Sequence, residues 1–134
     1  MTDTPDADVI ALAGRLFDAA RAGDSVTLAS YVDAGAPADL TNDRGDTLLM
    51  LAAYHGHAVA VTALLERGAD PNRANDRGQT PLAGAVFKGN DDVLDALLAG
   101  GADPSAGTPS AVDTARMFEK AALVARFEGR PEAG

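Results

Sequence analysis

The chain has 134 residues, of which 46% are hydrophobic and 23% charged, the balance of one ordinary globular domain rather than a disordered segment. It contains no Cys, which excludes a disulfide scaffold, a Cys-ligated zinc or iron–sulfur site and a thiol nucleophile. Its 20 acidic and 11 basic residues give a net charge of −9, so duplex nucleic acid and anionic membranes are poor partners.

In chain order, Met1-Thr2-Asp3-Thr4-Pro5-Asp6-Ala7-Asp8 is acidic and lacks the basic start of a secretory signal. The longest apolar run, Leu48 to Tyr54, is far short of the ~20 residues that span a bilayer, and a cytoplasmic location is expected. Thr4-Pro5 reads as a helix start, with Thr4 as N-cap and Pro5 at the first helical position. From there a repeat sets the architecture. Gly35-Ala36, Gly68-Ala69 and Gly101-Ala102 are spaced by 33 residues, as are Gly23, Gly56 and Gly89. Asn42-Asp43-Arg44-Gly45 returns as Asn75-Asp76-Arg77-Gly78 at the same spacing. Three independent series with one period define a real unit of two short helices and a turn.

The first unit runs from about Asp8 to Thr41, and Ser25, after Gly23-Asp24, reads as a helix cap. In the second, Thr47 to His55 is a first helix, Gly56 breaks it, and Ala58 to Arg67 is the next. Leu64-Leu65 recurs as Leu97-Leu98 and, in the first unit, as Tyr31-Val32, which marks the buried side of the second helix. Gly68 falls just past a helix end, where a left-handed residue stops it without a Cβ clash. Asp70-Pro71-Asn72 and Asn75 to Gly78 are turn chemistry. Small residues (Ala52, Ala53, Ala85) let paired helices approach closely. In the last unit, Ser110 to Phe127, a loop shortened around Ser105-Ala106-Gly107 moves the pattern three residues early. Ser110-Ala111-Val112 then falls on Thr80-Pro81-Leu82, and Phe127 on Leu97.

These residues resemble the ankyrin repeat: Asp-x-Gly-x-Thr-Pro-Leu, then Ala, Gly-His, Leu-Leu and Gly-Ala on a 33-residue period. Gly45 to His57 is the best-matching stretch, Gly78 to Ala85 follows well, and the resemblance covers nearly the whole chain. It implies a mainly α solenoid of helix-turn-helix units joined by short hairpin loops, in a single domain. The units fall at about 8–41, 42–74, 75–107 and 108–128, with 129–134 as a frayed tail that begins near Glu128. The outer two read as caps with polar ends: Asp3, Asp6, Asp8, Arg15 and Asp18 on one side, Arg126, Glu128, Arg130 and Glu132 on the other. One departure stands out. The family usually carries His after Thr-Pro-Leu to tie neighbouring units, whereas Met50 and Ala83 stand there in this chain and Leu48 replaces Pro. Packing of Met50 beside Ala83 can compensate.

No chemical site emerges. His55 and His57 are the only histidines, and a His-x-His metal site with Asp24 or Asp91 lacks a clear third ligand. None of Ser25, Ser30, Ser105 or Ser110 lies in Gly-x-Ser-x-Gly, and Gly100 to Gly107 has no Gly-Lys-Ser/Thr ending. Asp91-Asp92 sits at a helix start, where carboxylates complement the dipole. Neither enzyme activity, nor a cofactor, nor a metal is expected.

The informative residues come from superposing units. The two positions before each break read Arg21-Ala22, Tyr54-His55, Phe87-Lys88 and Met117-Phe118. By the resemblance this surface lines a concave groove together with the hairpin tips, here Asp43, Arg44 and Asp46, then Asp76, Arg77 and Gln79. A groove of aromatics and positive charge on an acidic molecule carries the residue types enriched at binding hot spots. The alternative is that Phe87 and Phe118 fill gaps left by small alanines. The resemblance thus implies a module that binds another protein. An acidic inhibitor or protector of one enzyme, and a self-associating structural protein with imperfect caps, are the other readings.

Overall fold

The computed structural model describes residues 7–129. Among these are eight helices and no strand: α1 (Ala7–Ala22), α2 (Ser25–Asp33), α3 (Leu48–Tyr54), α4 (Ala58–Leu65), α5 (Pro81–Lys88), α6 (Asp91–Ala99), α7 (Ala111–Met117) and α8 (Ala121–Phe127). Successive helices pair (α1 with α2, α3 with α4, α5 with α6, α7 with α8), and the pairs stack. The first helices form one row, α1–α3–α5–α7, and α2, α4 and α6 form a second. This is the helical solenoid that the resemblance implies. The Thr4-Pro5 helix start, Asp3, Asp6, Arg130 and Glu132 lie outside the described residues.

The core follows the period. Leu16, Leu49 and Leu82 are buried at one register position, and Ala19, Ala52, Ala85 and Ala115 at another. Leu28, Val61 and Leu94 fill the second row, with Leu64 and Leu97 beside them. Alanine at the same place in each first helix sets the close spacing of that row, since a larger side chain there would force the helices apart. Tyr31, Val32, Leu65, Leu98 and Phe127 are partly buried against this core.

Hydroxyl caps start three of the first helices. Thr47 Oγ1 accepts the Met50 N–H at 3.0 Å, Thr80 Oγ1 that of Ala83 at 3.2 Å, and Ser110 Oγ that of Asp113 at 3.1 Å. The caps at Thr47, Thr80 and Ser110 put a three-residue shortening between Thr80 and Ser110. The chain differs from expectation at three boundaries. Asp24, not Ser25, caps α2: its carboxylate accepts the Thr27 N–H at 3.1 Å, and a carboxylate is the stronger acceptor. Regular helix in α4 ends at Leu65 rather than Arg67, and the turn closes with Gly68 N–H to Leu65 O and Ala69 N–H to Leu64 O, both 3.1 Å. Glu128 caps α8 instead of fraying, with its N–H on Val124 O at 3.0 Å and its carboxylate 3.3 Å from Arg116.

The polar tie between units has moved. His57 Nε2 lies 2.7 Å from Arg21 O, and Lys120 Nζ donates to Val86 O at 3.4 Å, each across a junction of helix pairs. Asp39 accepts the Asp70 N–H at 2.8 Å and Asn72 that of Asp103 at 2.6 Å, linking successive loops. Arg67–Asp33 (3.0 Å) and Arg126–Asp95 (2.8 Å) bridge the second helices. Met50 and Ala83 are both buried, and Met50 packs over Gly84, where a Cβ would lie 3.6 Å from its Cε. The N-terminal side is less polar than expected, because Val9 and Ile10 are exposed along with Asp8, Arg15 and Asp18.

Candidate functional site

Both hairpin tips are built by an Asn side chain. Asn42 Oδ1 accepts the N–H of Arg44 (2.9 Å) and Asp46 (3.0 Å), and Asn75 Oδ1 those of Arg77 (2.9 Å) and Gln79 (3.1 Å). A carbonyl that satisfies two loop N–H groups holds the tip in one shape. The tips are then tied together: Asp76 N–H donates to Arg44 O at 3.1 Å, and Asn75 Nδ2 to Asp46 Oδ1 at 2.9 Å. Beneath them, a groove of about 650 Å³ opens between the tips and the ends of α3 and α5. Arg21, Arg44, Asp46, Tyr54, His55, Arg77, Gln79 and Phe87 line it, with Asp43 and Asp76.

Helix register sets the groove wall. Tyr54 and Phe87 follow the buried Ala52 and Ala85 by two residues, roughly half a turn of helix, and so point away from the buried face. The Lys88 ammonium therefore reaches back over the Tyr54 ring, 4.8 Å from its centroid, in a cation–π contact between adjacent units. Tyr54 stands edge-on to His55 at 5.8 Å, and Phe87 edge-on to Phe118 at 5.7 Å. Phe87 remains 59% exposed and Phe118 48%. Met117 is exposed next to Phe118, outside the groove lining.

Charge in the groove is divided. Arg21 is 3.2 Å from Asp18, and Asp46 is engaged by Asn75. Arg44 and Arg77 make no ion pair among the described residues. Outside the groove, two carboxyls are held below the usual carboxylate range: Asp24 by the Thr27 hydroxyl and then its N–H, and Asp103 by those of Ser105. Among the described residues no group of three or more His, Cys, Asp or Glu is placed to hold a metal. No helix there is long and apolar enough to cross a membrane.

Of the groove and tip residues singled out from the sequence, ten line the groove, Lys88 and Phe118 join it through aromatic contacts, and Met117 stands apart. Missed were Asn42 and Asn75, which shape the tips, and Met50, Leu51 and Gly84, which form the floor. The repeated Asn-Asp-Arg-Gly was the available signal for the first pair.

Comparison with known proteins gives two findings. The family model described as ankyrin repeats (3 copies) matches residues 16–108. A protein of Pseudomonas aeruginosa, named as an ankyrin repeat protein, is 47% identical over 59 residues. That match covers 41% of this chain and 34% of the relative, about a third of the relative's length.

Proposed function

The chain belongs to the ankyrin-repeat family, whose members are generally protein–protein interaction modules and typically non-catalytic, and on that premise we propose that it binds one partner protein through the groove and hairpin tips. The four units at about 8–41, 42–74, 75–107 and 108–128 then act as one domain, at work in the cytoplasm. The observation that carries this reading is the exposed row Tyr54, Lys88, Phe87 and Phe118, ordered by contacts between units yet open on its outer side. Side chains already held by their neighbours lose little freedom on docking, so less of the contact energy is offset by ordering. Arg44 and Arg77, unpaired at the tips, supply a polar rim. A face of this size buries roughly 600–900 Å² per partner, near the standard class.

Alanine at Tyr54, Phe87 and Arg77 together is expected to weaken partner affinity by about a hundredfold, the effect of a hot-spot cluster. Unchanged affinity in a variant that still melts cooperatively refutes the groove. The net charge of −9 favours one second reading, an acidic inhibitor or protector that finds a basic enzyme by electrostatic steering. Its on-rate falls steeply with salt, and a flat salt response removes it.

A further inference from the structure

Helix α4 has the sequence AVAVTALL, with no charged residue and Thr62 as its one polar side chain. An apolar composition all round a helix belongs to a helix covered on every side. Yet only Ala60, Val61 and Leu64 of α4 are buried, while Val59 is 73% exposed and Thr62 is exposed beside it. The position is repeated. Val26, one period earlier on α2, is 76% exposed, whereas the same position on α6 is Asp92. Val26, Ala29, Ala58, Val59, Ala63 and Ala96 thus form a shallow apolar strip of about 510 Å³ across α2, α4 and α6, lined by second helices and separate from the groove.

The border of the strip selects its occupant. Arg67, its one cation, is neutralised by Asp33 at 3.0 Å and also donates to Ala63 O at 2.9 Å. Glu66 and Asp92 line the same strip and make no ion pair among the described residues. Unpaired carboxylates around an apolar centre repel a second copy of a chain with net charge −9, and repel an anionic lipid surface equally. They complement an apolar stripe flanked by Lys or Arg. We propose that this strip is a second docking surface, independent of the groove, for a basic amphipathic helix of another protein. With both faces occupied, the chain holds two partners at once.

The test uses an 18-residue helical peptide of Leu and Lys at helical spacing, titrated into the full chain with methyl NMR detection. Controls are the Leu/Glu counterpart and a Ser/Lys peptide of equal charge. Saturable binding with shifts concentrated at the Val26 and Val59 methyls is expected for the Leu/Lys peptide alone. Val59→Glu is expected to weaken it by about tenfold or more, while Tyr54→Ala/Phe87→Ala leaves it unchanged, so loss of the groove reading and loss of this one are distinguishable. Val59 is the second residue of α4, where a carboxylate suits the helix N-terminus, so the variant keeps its fold. Three outcomes overturn the proposal: no saturable binding, equal binding by Ser/Lys, or affinity unchanged in Val59→Glu. A doubled mass in light scattering that Val59→Glu returns to monomer also overturns it, and assigns the strip to a second copy.

Discussion

Each first helix ends in a left-handed residue, and one of the four is not glycine. Gly23, Gly56 and Gly89 have φ of 75°, 83° and 73°, and Glu119 occupies the same position at 57°. The hydrogen bonds match as well: Gly89 N–H donates to Val86 O at 3.1 Å, and Glu119 N–H to Arg116 O at 3.0 Å. A side chain in this conformation costs roughly 1–2 kcal/mol through its Cβ, while glycine loses roughly 0.5–1 kcal/mol more backbone freedom on folding. Glu119→Gly is therefore expected to stabilise the chain by about 0.5–1 kcal/mol, raising Tm by roughly 2–4 °C. Gly89→Ala is the mirror experiment. The atom nearest its added Cβ is Lys120 Nζ at 3.7 Å, so no clash confuses the backbone effect. It is expected to destabilise by about the same amount. Urea and thermal unfolding of both variants give the two signs. If Glu119→Gly is neutral or destabilising while Gly89→Ala costs its share, the strain argument at the last turn is wrong.

Other outcomes are equally open to measurement. Leu64→Ala removes a fully buried side chain at the centre of the second row and is expected to cost about 2–5 kcal/mol in urea unfolding. His57→Ala removes the 2.7 Å contact to Arg21 O and the ring that packs on Gly23, so a loss of about 1–2 kcal/mol is expected, with hydrogen exchange rising first in α1 and α2. The Asp24 carboxyl has a lowered pKa when folded, so its contribution is present above the unfolded value and lost as pH falls through the folded one. Asp24→Asn keeps a cap but removes that titration, and its acid-unfolding curve is expected to be flatter below the ordinary Asp range. Light scattering at high concentration is expected to give a monomer; a larger mass that Val59→Glu leaves unchanged would point to stacking through the Val9 and Ile10 end.

Much of the fold was legible because a repeat prints the same physical demand several times. Glycine every 33 residues marked the helix ends, and alanine at a fixed register marked the close-packed row. Even the shortened last loop could be placed, since Ser110 offers the same capping oxygen as Thr80. What escaped was set by choices between near neighbours or by contacts between units. Asp24 and Ser25 are both good caps, and only geometry shows which oxygen faces the Thr27 N–H. The groove residues could be aligned from the sequence, but Lys88 over Tyr54 joins two units and exists only once they stack. The exposed apolar face of α4 was written in its composition, but the repeat drew notice only to its buried side at Leu64-Leu65.

The central claim, that the groove is the binding surface, is tested most directly by site-specific photo-crosslinking. A benzophenone amino acid is placed at Tyr54, at Phe87 or, as a control, at exposed Ala99 on the end of α6, and each protein is irradiated in cytosol of the source organism. One protein linked from both groove positions and absent from the Ala99 sample is the predicted result. Crosslinks from Ala99 with none from Tyr54 or Phe87 would contradict it and move the partner to the opposite face.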